Sequence, residues 1–254
     1  MSERLDGTVA LITGASSGIG EATAYALAEQ GAAVALAARR KGRLDSLAAE
    51  LTKRGYRAFV IETDVTDKVQ AKAAVEQTVK EFGRLDTLIN NAGVMLLGPA
   101  VGAPIEEWDR MVELNINGLL YCAHAALPHL LIAAESAPRR VADLVNISSV
   151  AGRVARNGVG VYNLTKHGVV AFSESLRQEV TKRHLRVSVV EPGVVNTELQ
   201  SHLRAEIKET TMRRFAGIEM LEPQDIADAI LYIVSRPRRV AINEMLVRPT
   251  EQEA

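Results

Sequence analysis

Seven short runs rich in β-branched and aliphatic residues recur along this 254-residue chain, separated by longer alanine- and leucine-rich stretches of helical period. The runs are VALIT (9–13), AVALAAR (33–39), RAFVIETD (57–64), LDTLINN (85–91), ADLVNIS (142–148), RVSVVEP (186–192) and EMLVRP (244–249). Nearly continuous apolar strands alternating with helices predict parallel pairing, because each parallel connection must cross over and its helix then covers a face of the sheet. The expected fold is α/β, a single domain over residues 1–254 built on a doubly wound parallel seven-stranded sheet with helices on both faces. The punctuation agrees with it: Gly31 suits a left-handed helix end, Pro223 a first helical turn and Asp67 a helix cap.

The balance of charge limits the partners. Thirty basic residues against 31 acidic ones give a formal net charge of -1, which spreads no broad cationic field for nucleic acid or an anionic membrane. Cys122 is the only cysteine, so an intramolecular disulfide is excluded and a reducing, cytoplasmic setting is expected. The N-terminus shows no signal-peptide pattern. The most apolar segment, GLLYCAHAALPHLLIAA, is interrupted by His124, Pro128 and His129, which predicts a buried helix with a break and no membrane span. His124, His129, His184 and His202 are scattered without metal-ligand spacing, so no metal is expected.

A doubly wound sheet of the Rossmann type carries its ligand beyond the carboxyl ends of the strands, where strand order reverses. After the first strand stands TGASSGIG, with Gly14, Gly18 and Gly20 set among Ser16, Ser17 and Ile19. Directly before a helix, such a turn lets the backbone approach a pyrophosphate while free amides at the helix start supply donors. The spacing is G-x-x-x-G-x-G, and not the G-x-G-x-x-G of many dinucleotide folds. The second strand ends in LAARRKGR: Ala38 stands where an acid would hold the adenosine ribose, and Arg39 and Arg40 offer guanidinium forks for a 2′-phosphate. NADP(H) is therefore favoured over NAD(H), the alternative being arginines that only solvate a loop. Asp64 is a candidate acceptor for the adenine amino group, with Val65 beside it. Asn91, Ala92 and Gly93 in NNAG have the composition to brace the sheet beside a cofactor, or simply to form an Asx turn.

VYNLTKHG places Tyr162 and Lys166 four positions apart, hence on one helix face. They form either an ordinary surface pair or a catalytic one in which the ammonium lowers the phenol pKa. His167 points roughly 100° away and is given no role.

Together, TGASSGIG, NNAG, NISS and YNLTK, in this order and over roughly residues 5–249, resemble the short-chain dehydrogenase/reductase family. The arginines after the second strand resemble its NADP-preferring subgroup. NNAGVMLLGP, NISSVAGRVARN, SESLRQEV and a terminal VRPTEQ are similar to clavulanic-acid-type aldehyde reductases and related hydroxy-acid dehydrogenases. The resemblance implies a catalytic set of Asn115, Ser149, Tyr162 and Lys166, with Ser148 as the alternative serine and an interior structural amide as the alternative for Asn115. It also implies that Pro192, Gly193, Val195 and Thr197 run along the nicotinamide, that Lys166 binds its ribose, and that the chain forms a homotetramer or dimer. The expected reaction is hydride transfer between NADPH and a small aldehyde, ketone or hydroxy acid, with Tyr162 as general acid/base. A non-catalytic NADPH-binding sensor is the alternative. Residues 194–221 read as a substrate lid, with Leu199, Met212 and Phe215 facing Met95, Leu96, Val154 and Asn157. Arg153, Arg156, Arg213 and Arg214 are candidates for a substrate carboxylate.

Overall fold

The computed structural model describes residues 3–136 and 138–253. Seven parallel strands form one sheet: β1 (Val9–Thr13), β2 (Ala33–Ala38), β3 (Ala58–Glu62), β4 (Thr87–Asn90), β5 (Ala142–Ile147), β6 (Leu185–Pro192) and β7 (Glu244–Val247). Their spatial order is β3-β2-β1-β4-β5-β6-β7, so the winding direction reverses between β1 and β4. The expected strands are all present. Several are shorter than their apolar runs, because the flanking residues turn away into the loops at the sheet's ends.

Alternation along each strand splits the core in two. Ala10, Ile12, Val34 and Leu36 face α1 (Gly18–Glu29), α2 (Lys41–Lys53) and α8 (Pro223–Val234), whereas Leu11, Ala35 and Ala37 face the opposite layer. That opposite layer holds α3 (Lys68–Phe82), α5 (Leu119–Glu135) and α6 (Gly160–Val180). The caps are as expected. Asp67 accepts from the amides of Val69 and Gln70, Gly31 has φ 99°, and Pro223 opens α8 within a capping box of Glu222 and Asp225.

The apolar segment around Pro128 departs from expectation. α5 runs unbroken through the proline. A ring at this place removes one backbone hydrogen bond, yet Cys122, Ala123, Ala126 and Leu130 are packed into the core on both sides of it, and that burial holds the helix straight on. By length and composition, Ile105–Glu135 would suffice to cross a membrane, but these same side chains face the sheet layer.

α4 (Ile105–Val112) passes into α5 through a π-helical turn, Glu113–Gly118. Between β6 and α8, a 3₁₀ turn (Glu198–His202) and α7 (Ala205–Arg214) occupy the segment expected to act as a lid. Its ends are tied together: Asn196 N donates to Leu221 O at 2.8 Å and Leu221 N to Val194 O at 3.1 Å.

Candidate active site

A cleft of about 790 Å³ opens at the carboxyl ends of the strands where the sheet reverses, a size suited to a dinucleotide and a small substrate. The glycine turn forms one wall. Gly14 has φ +67°, and a Cβ on Gly20 would fall 2.4 Å from Gly14 O and 2.6 Å from Asn91 Nδ2. Gly20 therefore packs behind the turn, while Gly14, Ser16, Ser17, Gly18 and Ile19 line the cleft. The smallness of Gly20 lets the loop close. Asn91 Nδ2 donates to Thr13 O at 2.9 Å and Gly14 O at 3.3 Å, so its amide braces the turn. Ala92 and Gly93 line the cleft beside it.

Ser17 occupies the N-cap position of α1 without capping it. Its hydroxyl accepts instead from Arg40 Nη2 at 2.6 Å, and Arg40 Nε reaches Ser16 Oγ at 3.1 Å. The first amides of α1 are thus left for an anion. Arg39 Nη1 lies 3.9 Å from Asp64 Oδ2, while Asp64 Oδ1 accepts from the amide and hydroxyl of Thr66. Arg39, Arg40, Asp64 and Val65 all line the cleft.

At the other end, α6 carries Tyr162 and Lys166, both buried. A polar chain holds this helix on the sheet: Asn90 Nδ2 donates to Asn146 Oδ1 at 2.9 Å, and Asn146 Nδ2 to Ser173 Oγ at 2.8 Å. A polar side chain in an apolar strand for Asn146 and in a helix for Ser173 is the only sequence signal, and both resemble ordinary residues of those elements. Of the two serines, Ser149 is the one that acts on the Tyr162 hydroxyl, favouring its ionised form; its own hydroxyl accepts from Ala151 N at 3.1 Å and donates to Pro192 O at 3.4 Å. Ser148 turns back to Lys166 O at 3.0 Å.

Lys166 Nζ donates to Ile147 O at 2.9 Å and stands over the Tyr162 ring, 5.7 Å from its centroid. The expected lowering of the phenol pKa is absent. Burial pushes Tyr162 up to about 12, only partly offset by the nearby Ser149 hydroxyl, and burial lowers Lys166 to about 8. Desolvation dominates because both groups are removed from water.

Asn115 sits in the π-helical turn, 2 % exposed. Its Oδ1 accepts from Val94 N at 2.8 Å, and its Nδ2 donates to Val94 O at 2.9 Å and Thr165 Oγ1 at 3.2 Å. The side-chain amide is hydrogen-bonded on both its oxygen and its nitrogen, tying the strand-four loop to α6.

Pro192, Gly193, Val195 and Thr197 line the cleft. They are backed by a residue the sequence reading missed. Gln252, 8 % exposed, accepts from Val194 N through Oε1 at 2.9 Å, and a Cβ on Gly193 would fall 2.2 Å from that oxygen. The terminal VRPTEQ, which ends on this glutamine, carries a resemblance but nothing that points to this contact.

The lid supplies Leu199 and Phe215, and the facing wall Met95 and Val154. Met212, Leu96 and Asn157 do not line the cleft, and Leu97 does, because the loop after β4 has no strand periodicity to set which side chain turns inward. Arg153 is committed elsewhere: its guanidinium holds the fully buried Glu191 at 2.7 Å and pairs with Glu244. Arg213 pairs with Glu209 on the surface, and the side chain of Arg214 lies outside the described residues. Arg156 remains at the cleft.

A family model described as short chain dehydrogenase matches residues 8–208. Over 251 residues the chain is 38 % identical to glycine betaine reductase ATRR of Emericella nidulans, covering 98 % of this chain but spanning only 19 % of that protein. It is also 38 % identical over 241 residues to an uncharacterised oxidoreductase of Staphylococcus aureus (strain USA300), covering 95 % and 96 % of the two chains. Among solved structures, the closed form of a serine dehydrogenase complexed with NADP+ superposes with TM-score 0.86 at 30 % identity, covering 97 % of each chain. A 3-ketoacyl-(acyl-carrier-protein) reductase from Brucella melitensis complexed with NADH superposes with TM-score 0.84 at 29 % identity, covering 96 % of this chain and 98 % of that one.

Proposed function

The chain belongs to the short-chain dehydrogenase family, and from that premise we propose that it is an NADPH-dependent carbonyl reductase acting reversibly on a small aldehyde, ketone or hydroxy acid. The carrying observation is the meeting of Ser149, Tyr162 and Lys166 at one end of a cleft whose other end is the glycine turn and its arginines.

The cleft fits a nicotinamide dinucleotide. Its turn would be filled by any Cβ at Gly14 or Gly20, and the uncapped start of α1 presents amides to a diphosphate. Ala38 with Arg39 and Arg40 favours the phosphorylated cofactor; the solved neighbours include both an NADP+ and an NADH complex. When bound, the cofactor supplies or accepts the hydride.

The protein's own side chains handle the proton. A phenol held near 12 is neutral at pH 7 and carries the proton that a carbonyl oxygen needs as it gains negative charge. Ser149, whose one hydroxyl proton points to Pro192 O at 3.4 Å, turns it to the same oxygen to donate a second hydrogen bond. After the transfer, the Lys166 ammonium over the ring stabilises the tyrosinate. Leu199, Phe215, Met95 and Val154 make the substrate end largely apolar and exclude water.

We further expect a cytoplasmic homotetramer or dimer. Ile132 on α5 and Leu164 on α6, 63 % and 65 % exposed, support assembly through those helices. The test is oxidation of NADPH, followed by absorbance, against a panel of aldehydes, ketones and keto acids. Consumption with at least one small carbonyl supports the reductase. Tight NADPH binding with no turnover on any member of the panel would favour the sensor.

A further inference from the structure

Glu198, at the start of the lid's 3₁₀ turn, reaches back across the cleft to the loop after β2. One carboxylate oxygen lies 2.7 Å from Arg40 Nη1 and the other 2.7 Å from Arg43 Nη1. Arg40 meanwhile holds the hydroxyls of Ser16 and Ser17 in the glycine turn. One carboxylate therefore joins three separate parts of the cleft rim. The chain has no acid at the end of β2, where Ala38 stands, yet this corner carries a carboxylate drawn from 158 residues away along the chain. Arg40 and Glu198 are 45 % and 46 % exposed, so an incoming ligand can reach both. The two arginines hold the Glu198 carboxyl down at about 2, which keeps it an anion throughout the working pH range.

We propose that Glu198 is a cofactor-discriminating residue: its carboxylate is the resident counter-anion of Arg40, which it yields to the 2′-phosphate of NADPH and keeps when NADH binds. This deepens, and rests on, the NADPH reading. Two anions crowded on one guanidinium repel each other, so NADPH must displace a contact that NADH leaves untouched. Exposed ion pairs are individually weak. The exchange is accordingly reversible, and Glu198 lowers the preference for NADPH without abolishing it. Glu198 adjoins Thr197 on the cleft wall, so the same exchange frees the lid from the opposite rim when the phosphorylated cofactor enters.

The experiment measures dissociation constants of NADPH and NADH by nicotinamide fluorescence for the wild type, Glu198→Gln, Arg40→Gln and Arg39→Gln. Glu198→Gln should tighten NADPH about two- to fivefold and leave NADH unchanged, and adenosine 2′,5′-bisphosphate, used as competitor, should follow NADPH. If Glu198→Gln leaves NADPH unchanged or weakens it while Arg40→Gln weakens NADPH selectively, the NADPH reading stands and the role assigned to Glu198 is wrong. If neither Arg40→Gln nor Arg39→Gln alters the NADPH-to-NADH ratio, the arginine corner is not a 2′-phosphate site, and both statements fall.

Discussion

Lys166 stands over the ring of Tyr162, its Nζ 5.7 Å from the ring centroid and anchored to Ile147 O at 2.9 Å. Burial makes the tyrosine a weaker acid and the lysine a weaker base than either would be in water.

That relationship has a pH signature. Folding lowers Lys166 from 10.5 to about 8, so between those values the unfolded chain binds a proton that the folded chain has released. The lysine's contribution to stability therefore rises from about pH 8 towards 10.5, the cost of burying its charge being present in full below that window. Tyr162 acts in the opposite sense above pH 10, where only the unfolded chain ionises. Urea denaturation at pH 7.5 and 9.5 should show the wild type gaining stability relative to Lys166→Met. Parallel behaviour of the two proteins would mean that Lys166 is not desolvated.

Asn115→Leu removes three hydrogen bonds and strands the amide and carbonyl of Val94 in the interior. Each orphaned group costs about 1–3 kcal/mol, and thermal denaturation should show a fall of roughly 5–15 °C for a chain of this size. A melting point within about 1 °C of the wild type would show that water replaces the amide.

Two glycine substitutions should move stability in opposite directions. A Cβ at Gly20 meets the backbone oxygen of Gly14, whereas a Cβ at Gly42, inside α2, meets nothing within 4 Å. Gly20→Ala is expected to lose about 1–3 kcal/mol and to weaken cofactor binding. Gly42→Ala is expected to gain about 0.5–1 kcal/mol, both read from chemical denaturation curves.

Gln252→Ala deprives Val194 N of its acceptor and removes the support behind Gly193. The expected result is a severalfold rise in the KM for NADPH with a smaller change in kcat, since the affected segment walls the cofactor and stands apart from Tyr162. A change confined to kcat would contradict that position.

The sheet, its winding and the glycine turn were legible because each rests on local periodicity or local backbone demand: strand runs, helix caps and a turn that tolerates only small residues. Tyr162, Lys166 and Ser149 were legible as positions, and only the structure assigns their protonation, because desolvation depends on what surrounds them in three dimensions. Pro128 misled for the same reason, since core packing on both sides of α5 outweighs one missing amide. Gln252 and Glu198 act across gaps of 58 and 158 residues, and neither belongs to any repeating pattern. Arg153 looked available for substrate until buried Glu191 claimed it.

The most direct measurement compares Tyr162→Phe with the wild type for NADPH binding and for turnover on whichever carbonyl the panel identifies. The account predicts unchanged NADPH affinity and a loss of about 10²–10⁴-fold in kcat, because the ring remains and only the proton it delivers is gone. Turnover equal to that of the wild type would contradict it.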